Sequence, residues 1–197
     1  MYPRNANNLF AASYDRNGFL GVMDAEHSHV HRGNAYIASC AGQITDTTPA
    51  HICFKTGSKS VHLKDFMIEA DGTNITFAKF FGSTVTNDGT RVEAYNCNLA
   101  LIHSKPKTVD IYYPASPPSD MGLDLNDKIF LFGSEGVGGR TISSGEASSW
   151  ERIIPPNSTL ICRASTTTTG TTNIEARFFF YETDPLENRI SRALESN

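Results

Sequence analysis

Three histidines stand at alternate positions in the stretch AEHSHVHRGN: His27, His29 and His31. On a β-strand this spacing puts all three imidazoles on one face, with Ser28 and Val30 on the other. Same-face neighbours lie roughly 6.5–7 Å apart at Cα, and two imidazoles so placed can share a tetrahedral ion at about 2.0–2.1 Å. His27 and His31 would be about 13 Å apart, so the three do not converge on one centre. A further ligand would have to come from Glu26, His51, His62, His103 or another chain. The expectation is therefore structural: a hydrogen-bonded polar strand, or a loop leading into one. His27, His29 and His31 remain weak candidate metal ligands, and no metal or other cofactor is expected.

Other chemistry-bearing patterns are sparse. GSEGVGGR, 133–140, is glycine-rich but lacks the GK[ST] ending of a phosphate-binding loop, and no helical pattern follows it, so it reads as a hairpin loop. No GxSxG nucleophile elbow occurs. A cupin-type metal site needs a Glu soon after its His-x-His, and none follows His31 until Glu69. The run TTTTGTT, 166–172, reads as a polar loop. Cys40, Cys53, Cys97 and Cys162 show no CxxC spacing. Cys40, Cys53 and Cys162 lie in apolar stretches and are expected to be reduced core residues. No catalytic residue is assigned, and the protein is not read as an enzyme.

The elements that must position these residues read as β. The chain has 197 residues, 39% of them hydrophobic, enough for one domain with its own core. Short apolar-rich runs such as SVHLKDFMIEA (60–70), ITFAKFF (75–81), STLICRAST (158–166) and NIEARFFFYE (173–182) alternate with turn chemistry, including Asp-Gly at 71–72 and 88–89. About ten such strands without alternating helices predict an all-β antiparallel sandwich or jelly roll over residues 19–183. Within it, Leu160, Cys162 and Ala164 should share one face, as should Ile174, Ala176, Phe178 and Phe180. The opposite face of 173–182 mixes Glu175 and Arg177 with Phe179 and Tyr181, so Phe179 and Tyr181 are candidate subunit-contact residues.

The ends differ from this pattern. Residues 1–18 read as an extended N-terminal arm whose anchors Leu9, Phe10 and Tyr14 would lie on a neighbouring chain. In the tail 184–197, Asp184, Pro185 and Glu187 make a helix-start pattern, and Leu186, Ile190 and Leu194 form one narrow apolar stripe. So short a helix is marginal alone and should dock on its own domain or on a partner copy. The net charge of −4, a pI near 5.8 and scattered Lys and Arg argue against nucleic acid as a partner. No apolar run approaches the roughly 18 residues of a membrane span, and MYPRNANNLF lacks the plan of a secretory signal.

Three segments carry a family resemblance: EHSHVHRGNAY, FFGSTVTNDGTRVEAYNCN and IIPPNSTLICRASTTTTGTTNIEARFFFYE. In this order they resemble tailed-bacteriophage virion proteins with a jelly-roll domain. The matching positions are His27, His31, Gly33 and Tyr36; Gly82, Thr84, Val85, Asn87 to Thr90, Val92, Tyr95, Asn96 and Asn98; and Asn157, Thr159, Arg163, Tyr181 and Glu182. Ala35 stands where that pattern often has another His, Cys97 interrupts the Asn run, and 103–145 has no close counterpart. The resemblance implies a virion structural role: a capsid decoration, or cement, protein. Such a protein would be made in the host cytoplasm and bound to the major capsid protein on the capsid surface, as a homotrimer. The alternative is a tail or fibre-tip protein that recognises the host surface. An exposed patch of aromatics and threonines would favour that alternative.

Overall fold

The computed structural model describes residues 11–14, 20–23, 25–71, 74–101, 107–131, 141–145 and 151–184. Two short strands, β1 (Ala11–Tyr14) and β2 (Leu20–Met23), precede a helix, α1 (Ala25–Arg32). Twelve more strands follow: β3 (Ala35–Ile44), β4 (Ala50–Lys55), β5 (Ser60–Ala70), β6 (Ile75–Phe81), β7 (Thr90–Val92), β8 (Ala94–Asn96), β9 (Asp110–Tyr113), β10 (Leu123–Leu131), β11 (Thr141–Gly145), β12 (Arg152–Ile154), β13 (Thr159–Thr166) and β14 (Thr172–Thr183).

Twelve of these strands form two antiparallel sheets, so the fold is all-β. The first sheet runs β10-β6-β13-β4-β9-β7, and the second runs β11-β5-β14-β3-β8, with β12 on the far end of β5. Four pairings organise the whole: β3 with β14, β4 with β13, β5 with β11 and β12, and β6 with β10. The first and third of these lie in the second sheet, and the second and fourth lie in the first.

Side-chain alternation fills the space between the sheets. Ile174, Ala176, Phe178 and Phe180 of β14 face Leu160, Cys162 and Ala164 of β13 in one buried cluster, as their period-2 pattern predicts. Phe178 meets Phe54 edge-on at 4.9 Å, and Phe66 lies 4.4 Å from Phe77, so aromatic contacts join the two layers. On β5 the inward positions shift phase, from Val61 and Leu63 to Phe66 and Ile68. A bulge explains the shift: Phe179 pairs with Asp65 but Phe180 pairs with Leu63, leaving Lys64 as the extra residue.

An ion pair and a buried carboxylate also tie the layers. Lys79 of β6 lies over the Phe66 ring at 5.4 Å and pairs with Asp127 of β10 at 2.8 Å; Asp127 also accepts from Arg152 of β12. At the end of the sandwich, Glu182 of β14 is buried (1% exposed) and accepts hydrogen bonds from the Thr108 and Val109 amides and the Thr108 hydroxyl.

One expectation needs correction: HSHVH lies in α1, not in a strand or a loop leading into one. β1 pairs with β2 in a hairpin, so the boundary expected at residue 18 falls between two paired strands. Leu9, Phe10 and the expected tail helix with Leu186, Ile190 and Leu194 lie outside the described residues, as does the side chain of Tyr14. Among the described residues no helix is long and apolar enough to cross a membrane.

Candidate functional site

Chemistry-bearing side chains gather where α1 meets the outer face of the second sheet. The helix ends at Gly33, whose φ of +71° is the left-handed conformation that glycine accepts at least cost. The Gly33 amide donates to the Val30 carbonyl and the Asn34 amide to the His29 carbonyl, each at 2.9 Å. This is the Schellman pattern of a helix stop. Two later carbonyls are taken up from a distance: Asn96 donates to the Gly33 carbonyl at 2.7 Å, and Asn98 to the His31 carbonyl at 3.2 Å. The signal for this helix was present in the sequence. Gly33 follows His29, His31 and Arg32, basic residues suited to a helix C-terminus.

Helical geometry separates the histidines. At roughly 100° per residue, positions two apart on α1 turn to opposite sides of the helix, so the shared face expected of a strand is lost. His27's side chain lies outside the described residues, and His31 is exposed. Among the described residues no three His, Cys, Asp or Glu side chains come together as a metal site would require.

His29 reaches into the sheet instead. It stacks on Tyr181 at 4.0 Å, and His62 of β5 also stacks on Tyr181, at 4.5 Å. Tyr181, expected at a subunit contact, is thereby buried inside its own domain at 6% exposure. Phe179, two residues earlier, stays half-buried on the same face.

Glu151 completes the cluster. His62 Nδ1–H and the Tyr181 hydroxyl both donate to its Oε1, and Lys64 approaches Oε2 at 3.6 Å. Burial opposes the Glu151 charge, but hydrogen bonds from His62 and Tyr181, with the charges of His62 and Lys64, outweigh it and hold the carboxyl at about 2. The Thr183 hydroxyl and His62 Nε2 are hydrogen-bonded at 2.8 Å. Hydroxyl, imidazole and carboxylate therefore stand in the order of a nucleophile, its base and an orienting acid.

The order alone does not make a catalyst. His62 and Thr183 are each 6% exposed. A groove of about 290 Å³ runs beside Glu69, Asp71, Asn173 and Glu175, toward the other end of β14, and none of the three relay residues lines it. The same bonds that would align a relay here fix His62 against Tyr181 and Tyr181 under α1. Thiol chemistry is also disfavoured: burial pushes Cys40 and Cys162 up to about 12 and Cys53 to about 11, leaving almost no thiolate near neutrality.

Sequence reasoning found His29 and Tyr181 but missed His62, Glu151, Thr183, Asn96 and Asn98 as their partners. These residues belong to separate strands and loops, and only the register of β5 against β14, which sets His62 opposite Tyr181, brings them together.

The opposite outer face, on the first sheet, is closed by apolar packing around Phe80, while Phe130 toward the β10 edge is 53% exposed. Cys53, Ala78, Phe80, Ala115 and Ile161 form a second buried cluster. Segments 82–90 and 114–122 are bonded to each other beside it: Thr84 with Asp120 and Ser119, and Asn87 with Ser116. Gly89 has φ +86°, and a Cβ there would overlap the Pro114 carbonyl, so Asp-Gly at 88–89 does require its glycine.

Comparison with protein-family models, with curated proteins and with solved structures finds no match for this chain.

Proposed function

We propose that this chain is a capsid decoration protein of a tailed bacteriophage: a jelly roll that assembles as a homotrimer and fastens to the major capsid protein on the outer shell. The strand order supports the jelly-roll reading. β3-β14-β5-β11 and β4-β13-β6-β10 are the two four-stranded halves of an eight-stranded ribbon rolled on itself. The observation that carries the functional reading concerns the three segments that resemble phage virion proteins. They lie far apart in sequence, yet HRGN, YNCN and FFFYE meet at one clamp. Asn96 and Asn98 hold the end of α1, Tyr181 lies beneath His29, and the Glu182 amide donates to the Asn34 carbonyl.

The work of such a protein is adhesive. A two-layer block whose sheets are joined by aromatic and ionic contacts deforms little, so contacts made by its loops would bridge capsomers and raise the free energy of separating them. A trimer on a three-fold site presents three equivalent contacts, and each raises the effective concentration of the others. One observation favours the host-recognition alternative: Phe130, 53% exposed, stands in register with Thr76, which pairs with Ser165, two residues before exposed Thr167. Exposed Thr167 and Thr169 lie beyond the start of β14, whereas exposed Tyr95 stands in line with Phe179 through Ile37. Seven residues of strand between Thr172 and Phe179 separate the two by about 23 Å.

Purified protein added to capsids that lack decoration should bind saturably and raise the temperature at which DNA escapes. A chain that ignores capsids and binds host cells overturns the proposal in favour of the receptor-binding reading.

A further inference from the structure

The outer face of the second sheet carries an apolar row that the described part of the chain leaves open. Phe179, Ile37 and Tyr95 stand side by side across β14, β3 and β8. Ile37 is 47% exposed and Tyr95 58%. Aligned apolar side chains on neighbouring strands form a continuous surface, unlike scattered exposed residues.

The β1–β2 hairpin has the converse property. In the structure it forms a sheet of its own, paired with neither face of the sandwich, and its extensive contacts are internal. A two-stranded hairpin by itself is marginal in water. Its eight described residues, AASY and LGVM, carry no charge, and its register sets Tyr14 opposite Leu20 and Ala12 opposite Val22. Two uncharged strands paired only with each other and an apolar row without a cover have matching requirements. Within one chain the described residues leave the row open, and a second copy would supply the cover.

We infer that the β1–β2 hairpin of one copy lies on the Phe179–Ile37–Tyr95 row of the next. This inference rests on the reading of the protein as a self-associating trimer and supplies the contact that reading lacks. Each copy gives one hairpin and receives one, a head-to-tail arrangement that closes as a ring at three.

Light scattering on three preparations tests it. The wild type should give three times 21.6 kDa. Ile37→Asp/Tyr95→Asp and Leu20→Asp/Val22→Asp should each be monomeric, with wild-type far-ultraviolet circular dichroism. Mixed in equal amounts, the two variants should form a species of twice 21.6 kDa, because one intact hairpin then meets one intact row. A row variant that keeps the wild-type mass, or a mixture that stays monomeric, overturns the inference. Hydrogen exchange on the wild type gives a readout free of any folding defect. Amides of 11–14 and 20–23 should lose protection when the protein is diluted to monomer, while those of 36–38, held in the ladders to β14 and β8, should keep it. Protection of 11–14 and 20–23 that survives dilution would place the hairpin on its own chain and sink the exchange between copies. Capsid binding separates this inference from the decoration reading. An exchanging trimer that ignores capsids supports the inference alone, whereas a monomer that binds capsids rejects it and leaves decoration standing.

Discussion

The outer faces of the two sheets are finished in different ways. On the first sheet, Phe80, Ile161 and Cys53 are buried beneath their own cluster, beside loops that bond to each other. On the second, α1 and Glu151 close one end through His29, Tyr181 and His62, while Ile37 and Tyr95 remain in water. The difference separates stability from association. A face closed by apolar packing contributes to folding in a single copy. A face left partly open contributes only when something else covers it.

Four measurements sharpen this contrast. The largest effect should come from the closed face: Phe80→Ala removes a buried ring and should cost about 3–5 kcal/mol by denaturant unfolding. Acid should act next, through Glu151. Its carboxyl titrates at about 2 in the folded chain against 4.5 ordinarily, so the native state binds fewer protons between these values. The stabilisation is complete above pH 4.5 and disappears as pH falls toward 2, a loss of about 3 kcal/mol. Glu151→Gln should flatten that part of the stability profile, and an unchanged profile would show that another carboxylate dominates.

Asn96→Ala should cost about 1–2 kcal/mol, because it strips a partner from both the Gly33 carbonyl and the Asn98 amide. Amides of α1 should exchange faster in this variant, while those of β13 should not. The smallest effect should lie on the open face. Ile37→Ser should change the stability of the monomer by about 0.5 kcal/mol or less, and a loss comparable to that of Phe80→Ala would erase the distinction between the two faces.

Legibility in the sequence followed alternation. Strands β13 and β14 were readable because their apolar residues keep strict period 2 and face the core. β5 was readable in extent, and its change of phase between Leu63 and Phe66 already encoded the bulge at Lys64. TISSG has no apolar alternation, so β11, at a sheet edge, left no mark. HSHVH misled because a spacing of two imitates a strand, whereas what decides the conformation is the Gly33 stop together with capping by Asn96 and Asn98, more than 60 residues downstream. The candidate site was visible only in fragments for the same reason. Pairing between β5 and β14 places His62, and the segment before β12 supplies Glu151; neither fact is local to the histidines.

The position of β14 also determines how the domain would carry a mechanical load. It lies between two neighbours, hydrogen-bonded to β3 from Thr172 to Tyr181 and to β5 from Ile174 to Thr183. A pull on Asp184 along the strand therefore strains both ladders in shear, rung against rung, rather than peeling them one bond at a time. Tyr181 and Glu182, adjacent but pointing to opposite sides, pass part of that tension outward to α1 and inward to the segment before β9. Traction applied at the end of β14 is thus shared among the helix and both sheets, so the last strand of the sandwich serves as its tendon.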